Sequence, residues 1–130
     1  MRYLGIDYGL AKIGLALGES DGEAYPIEEI SAEGAIPAIV KVIAEDGVDE
    51  IVVGIPVDIE GEPTKQSEIT QQFITLLKDA LAEAGMEKPV HEVDERNTSQ
   101  ESRRLQQETG TMEGKDALAA MLILKDYLSR

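Results

Sequence analysis

Residues 2–7 (RYLGID) are a short, largely apolar run, and over 12–18 (KIGLALG) Ile13, Leu15 and Leu17 alternate onto one side. Both patterns predict strands. The segment Tyr8-Gly9-Leu10-Ala11 between them carries a glycine suited to a tight bend, which makes the strands hairpin partners. A third short strand is expected over 26–30, after Gly22. The period then lengthens: Ile36, Ile39, Val40 and Ile43 fall at helical spacing within 34–46, with Pro37 tolerable only in the first turn. Residues 50–54 (EIVVG) form the short apolar burst of a strand buried on both faces. After a polar loop from Pro56 to Pro63, residues Ile69, Phe73, Leu76, Leu77, Ala80 and Leu81 mark a long amphipathic helix over 65–84, and Gly85 suits its C-terminal cap. A strand is expected at 89–93 (PVHEV), a short polar helix at 98–108 capped by Thr98 or Ser99, and a final helix at 116–128. The final helix is apolar enough from Ala117 to Leu124 to be the most buried of the set.

A hairpin followed by strand–helix–strand units implies an α/β protein with a mixed sheet covered by helices. Pattern alone leaves several such sheets open. No repeat, linker or low-complexity tract interrupts the 130 residues, so residues 1–130 are expected to form one domain. At 42% hydrophobic the chain has enough apolar material for one core. The absence of cysteine removes disulfides, thiolate ligands and cysteine nucleophiles together. No run is long enough to span a bilayer, and the start reaches Asp7 too soon for a signal peptide, so a soluble cytoplasmic protein with no membrane partner is expected.

Charge changes the picture. There are 26 acidic and 12 basic residues, a net −14. Proteins that bind nucleic acid neutralise phosphates with Lys and Arg, so this sum opposes a polyanionic partner at long range, although the distribution of charge matters more than its total.

The informative feature is where the acids fall. Asp7 closes an apolar strand directly before a glycine turn, Asp94-Glu95-Arg96 closes another, and Asp116 opens the last helix. Carboxylates at strand ends gather along one edge of a sheet, the edge at which α/β sheets bind ligands. Each acid also has a simpler reading: Asp7 and Asp94 as turn formers, Glu95 and Arg96 as a solvated pair, Asp116 as a helix cap. His91, alone of its kind and inside a strand, reads as structural. Gly5, Gly9 and Gly14 do not make a phosphate-binding glycine loop, and no Walker motif is present.

Four segments together resemble one family. Gly5-Ile6-Asp7-Tyr8-Gly9, continuing to Lys12-Ile13-Gly14-Leu15-Ala16, is similar to the first motif of the YqgF/RuvX family. Val53-Gly54-Ile55-Pro56 with Gly61 resembles its second, Asp94-Glu95-Arg96-Asn97-Thr98-Ser99 its third, and Gly114-Lys115-Asp116 with Ala119, Ala120, Ile123, Leu124, Tyr127 and Leu128 its fourth. The order matches and the span is nearly the whole chain. The resemblance implies a ribonuclease H-like fold, with a mixed central sheet of about five strands and helices on both faces. It also implies a carboxylate site of Asp7, Asp94 or Glu95, and Asp116. The family is described as resolvases of Holliday junctions and as nucleases that process the 5′ end of precursor 16S ribosomal RNA.

The implied chemistry suits those side chains. Hydrolysing a phosphodiester needs an activated water and charge neutralisation on the leaving oxygen, which two Mg²⁺ or Mn²⁺ ions roughly 4 Å apart can supply. Such hard ions take carboxylate oxygens. Asp7 is the expected bridging ligand, flanked by Asp116 and by Asp94 or Glu95. Strand alternation sends the last two to opposite faces, and the sequence leaves the choice open. Lys12, Arg96, Thr98, Ser99 and Lys115 are the candidates for phosphate contact. A homodimer would suit a junction, which has two-fold symmetry. Ala11, where the family carries a basic residue, and the −14 charge keep a second reading open: an altered or inactive member acting as a binding or assembly module.

Overall fold

The computed structural model describes residues 1–58, 60–95 and 115–130. Five strands form one sheet: β1 (Arg2–Asp7), β2 (Lys12–Glu19), β3 (Ala24–Ser31), β4 (Glu50–Pro56) and β5 (Val90–Glu95), in the order β3-β2-β1-β4-β5. β1, β2 and β3 run antiparallel in sequence, whereas β4 and β5 lie parallel to β1 and to each other. The helices are α1 (Ala35–Glu45), α2 (Lys65–Glu83) and α3 (Lys115–Leu128). The hairpin and the α/β order are as the hydrophobic pattern predicts. The short helix expected at 98–108 lies outside the described residues.

The two faces of the sheet differ in side-chain size, and that difference organises the fold. Leu4, Ile6, Ile13, Leu15, Leu17, Ile51, Val53 and Ile55 point to one face and pack with α1 and α2 in the larger core. The alternate positions point to the other face and include Gly5, Gly14, Ala16, Gly18, Val52, Gly54 and Val93. There α3 lies across all five strands, with Ala120, Ile123 and Leu124 buried against the sheet. Small residues let its backbone come close. A β-carbon at Gly5 would stand 2.8 Å from the Ala120 carbonyl oxygen, and one at Gly18 2.8 Å from Leu124 Cδ2. The large-to-small alternation of β1, β2 and β4 thus gives one face to side chains from two helices and the other to the backbone of one.

α2 departs from its expected stripe. Leu76 is exposed, and the buried face runs through Ser67, Thr70, Phe73, Ile74, Leu77 and Leu81. The helix is pinned at its start by a reciprocal box, in which the Thr64 hydroxyl accepts from the Ser67 amide and the Ser67 hydroxyl accepts from the Thr64 amide. Ser67 also donates to the Pro56 carbonyl at the end of β4. Ser67 and Thr70 lie on that buried face with their hydroxyls satisfied, Ser67 by the Pro56 carbonyl and Thr70 by the Gln66 carbonyl. At the other end Gly85 takes the left-handed backbone (φ 68°) just past the cap residue Ala84, as its identity predicts.

Candidate active site

Three parallel strands, β1, β4 and β5, end on the same edge of the sheet, and the acids sit there. Asp7 is the last residue of β1. Its neighbours across the sheet are Gly14 on β2 and Gly54 on β4, both on the α3 side. Gly54 pairs with Val93 on β5, and two residues further Pro56 pairs with Glu95. Glu95 therefore shares the face of Asp7 and Gly54, and its carboxylate reaches back over Gly54, where a β-carbon would stand 2.8 Å from Oε2. Asp116 lies in the first turn of α3, and its backbone is pressed against Gly14. Asp116 is inside the helix rather than at the cap position.

Electrostatics joins the three. Glu95 and Asp7 share a side-chain hydrogen bond, which requires a proton on one of the two carboxyls. Burial pushes the Glu95 carboxyl up to about 7; the bond to Asp7 opposes the rise and the nearby charge of Asp116 adds to it. Three carboxylates crowded at a half-buried edge repel one another until a proton or a cation intervenes. Among the described residues, no group of three or more His, Cys, Asp and Glu stands ready to hold a metal ion by itself. The donors are hard carboxylate oxygens, the type suited to Mg²⁺ or Mn²⁺, and a close pair with a third charge nearby matches an ion held by one or two carboxylates plus substrate phosphate. The site fits a hard divalent cation held in that way.

The family model described as "RuvX: Holliday junction resolvase" matches residues 1–130. The chain belongs to the RuvX family. This is a family of nucleases and resolvases, which hydrolyse phosphodiester bonds. A relative from Chloroflexus aurantiacus named "Putative pre-16S rRNA nuclease" is 37% identical over 96% of this chain and 84% of its own length. One of the same name from Pseudomonas putida is 33% identical over 96% of this chain and 92% of its own. Among solved structures, RuvC from T. thermophilus in complex with a Holliday junction substrate superposes with a TM-score of 0.60 at 19% identity, covering 99% of this chain and 94% of the other. A second structure of Thermus thermophilus RuvC gives 0.61 at 18% identity, over 98% and 94%. The RuvX chain therefore has the ribonuclease H-like fold that its four motifs imply.

The other candidates from the RuvX motifs distribute as follows. Asp94 pairs with Ile55 and points to the α2 face, away from Asp7. It is exposed and, with Glu92 and Gln71, lines a cavity of about 510 Å³ between α2 and the ends of β4 and β5. Lys12 opens β2 and is exposed. Lys115 begins α3, next to Asp116. Arg96, Thr98 and Ser99 lie outside the described residues. His91 is far from this edge: its Nε2 is 2.8 Å from Glu50 Oε1, and its ring stacks on Tyr127 at 5.1 Å, so it braces the opposite end of α3. The residues that sequence reasoning passed over are Gly14 and Gly54. Both stand inside recognised motifs, but their lateral pairing with Asp7 is invisible without register.

Proposed function

We propose that this RuvX family member is a divalent-metal-dependent endonuclease of structured nucleic acid, with Asp7, Glu95 and Asp116 as its acidic centre. One observation carries the reading: the hydrogen-bonded Asp7–Glu95 pair, with the Asp116 charge close enough to act on it, at the C-terminal edge of the parallel strands. Glu95 is the β5 ligand in preference to Asp94, because it shares the face of Asp7.

Mg²⁺ or Mn²⁺, when bound, supplies an activated water and neutralises charge on the leaving oxygen. The chain's own part is to present the oxygens and manage the proton. Burial keeps a proton on Glu95 toward neutral pH, which lets the two carboxyls sit together, and release of that proton makes both available as donors. Asp116 brings the third negative charge on the end of a rigid helix. Lys12, exposed at the mouth of the hairpin, and Arg96, Thr98, Ser99 and Lys115, adjacent in sequence to Glu95 and Asp116, are assigned to the phosphates. Lys12, Arg96 and Lys115 offer local positive charge in a chain of net −14, and Thr98 and Ser99 offer hydroxyl donors.

The relatives' names favour precursor 16S ribosomal RNA as the substrate, which sets the work in the cytoplasm; among the described residues no helix is long and apolar enough to cross a membrane. The family description favours a Holliday junction, and for that substrate two copies related by two-fold symmetry would match the two-fold junction. The test is cleavage of precursor ribosomal RNA and of branched DNA, with Mg²⁺ or Mn²⁺, by the wild type and by Asp7→Asn. Cleavage by the wild type and none by the variant is expected. Equal cleavage by both overturns the site. The net charge of −14 favours a second reading, a binding or assembly module without catalysis, for which neither the wild type nor Asp7→Asn would cut either substrate.

A further inference from the structure

The two cross-strand neighbours of Asp7 are both glycine, and neither glycine lies in a turn. Gly14 and Gly54 have extended backbone inside regular strands. Neither adopts a positive φ, so conformational need does not explain them. What the absent side chains leave is space, one cell on each side of Asp7, and each cell is filled by a different carboxylate-bearing group. Over Gly14 sits the backbone of Asp116: a β-carbon there would run into the Asp116 carbonyl and the Ala117 amide. Over Gly54 sits the Glu95 carboxylate, whose Oε2 would be 2.8 Å from a β-carbon, together with the tip of Ile123.

We propose that Gly14 and Gly54 are positioning residues that set how closely Asp116 and Glu95 approach Asp7. The inference rests on the carboxylate centre proposed above and deepens it. A methyl group at Gly14 meets backbone, which cannot rotate away, so the first turn of α3 must lift and carry Asp116 outward. A methyl group at Gly54 meets two side chains. Ile123 can be shortened without touching the site, but Glu95 must swing away from Asp7. The α3 face supplies its own controls. Gly5 and Gly18 also lie under α3, where a β-carbon would crowd Ala120 and Leu124 rather than an acid. They share the role of letting the helix come close and lack the role of spacing the carboxylates.

The experiment measures Mn²⁺ affinity by calorimetry or electron paramagnetic resonance, and melting temperature without metal, for the wild type, Gly14→Ala, Gly54→Ala, Gly5→Ala, Gly18→Ala, and Gly54→Ala combined with Ile123→Val. All four single variants are expected to lower the melting temperature. Only Gly14→Ala and Gly54→Ala should also weaken Mn²⁺ binding, by roughly 10–100-fold, the usual consequence of disturbing a residue that orients a ligand. In the double variant the shortened side chain on α3 makes room beside the new methyl, so melting recovers while Mn²⁺ affinity stays low. That split is what a packing role alone cannot produce, and this variant decides the matter even if Gly14→Ala does not fold. Affinity that tracks melting temperature across all the variants, or that returns with stability in the double variant, overturns the proposal. Wild-type protein that binds no Mn²⁺ overturns the carboxylate centre itself, a separate result.

Discussion

The most quantitative consequence of the site concerns Glu95 and pH. Its carboxyl rises from an ordinary 4.5 to about 7, chiefly through burial. The folded protein therefore holds a proton that the unfolded chain gives up between those values. Stability falls with rising pH wherever the native state binds more protons than the unfolded one. The contribution is thus fully present below pH about 4.5, lost progressively as pH climbs through about 7, and constant above that. At ~1.4 kcal/mol for each tenfold change in proton affinity, the whole loss amounts to about 3 kcal/mol. For a domain of this size that corresponds to roughly 10 °C of melting temperature. The perturbation is Glu95→Gln, which keeps the shape and the hydrogen bond to Asp7 but cannot ionise. Thermal and urea unfolding of both proteins, in chelator, from pH 4.5 to 8.5, isolates the effect from the background of a highly acidic chain, because the difference between the two curves contains only Glu95 and the acids coupled to it. The variant should gain on the wild type steadily through that window and level off above it. Added Mg²⁺ should stabilise the wild type most at high pH and leave the variant nearly unchanged. Parallel curves with no pH-dependent gap would mean that Glu95 is not held protonated, and the electrostatic coupling of the three acids would fail with it.

Other outcomes follow from the same geometry. Asp94→Asn should leave Mn²⁺ affinity and cleavage close to wild type, whereas Glu95→Gln should cost more than the ~10–100-fold that follows loss of a ligand's support; the reverse ranking would move the site to the α2 face. Leu124→Ala, at a fully buried position under α3, should cost about 2–5 kcal/mol in urea unfolding. Thr64→Ala breaks the reciprocal box at the start of α2 and should cost about 1 kcal/mol with no change in metal affinity. His91→Ala removes the Glu50 bond and the Tyr127 stack at the end of the sheet away from the acids. It should lower melting temperature and leave the rate of cleavage under saturating substrate unaltered.

Much of the architecture is legible along the chain because strands and helices impose different periods on the same apolar residues. β2 alternates, β1 and β4 are short runs dominated by apolar residues, and α3 is apolar over most of its turns; those patterns alone assign each its element. Asp7 and Asp116 stand out because an acid at the end of an apolar strand or at the start of a buried helix is out of keeping with its surroundings. Where local pattern misjudges a detail, tertiary packing is the reason. Leu76 fits an apolar stripe on α2, but the face that packs on the sheet runs through Ser67, Thr70, Ile74 and Leu77, so Ile74 goes in and Leu76 stays out.

What the linear order could not decide is anything that depends on which residue lies beside which. Alternation says that Asp94 and Glu95 face opposite ways. Only the register of β1 with β4 and of β4 with β5 says that Glu95 faces Asp7, because strand registry comes from pairing across the sheet and shifting it by one residue exchanges the faces. The glycines show the same limit. Gly14 and Gly54 are 40 positions apart in the chain and become equivalent only when β2 and β4 close on either side of β1. A side chain's type and period are local properties and can be read in one dimension; the spacing of three carboxylates is a property of the assembled sheet and helix, set by groups that the sequence brings together only on folding.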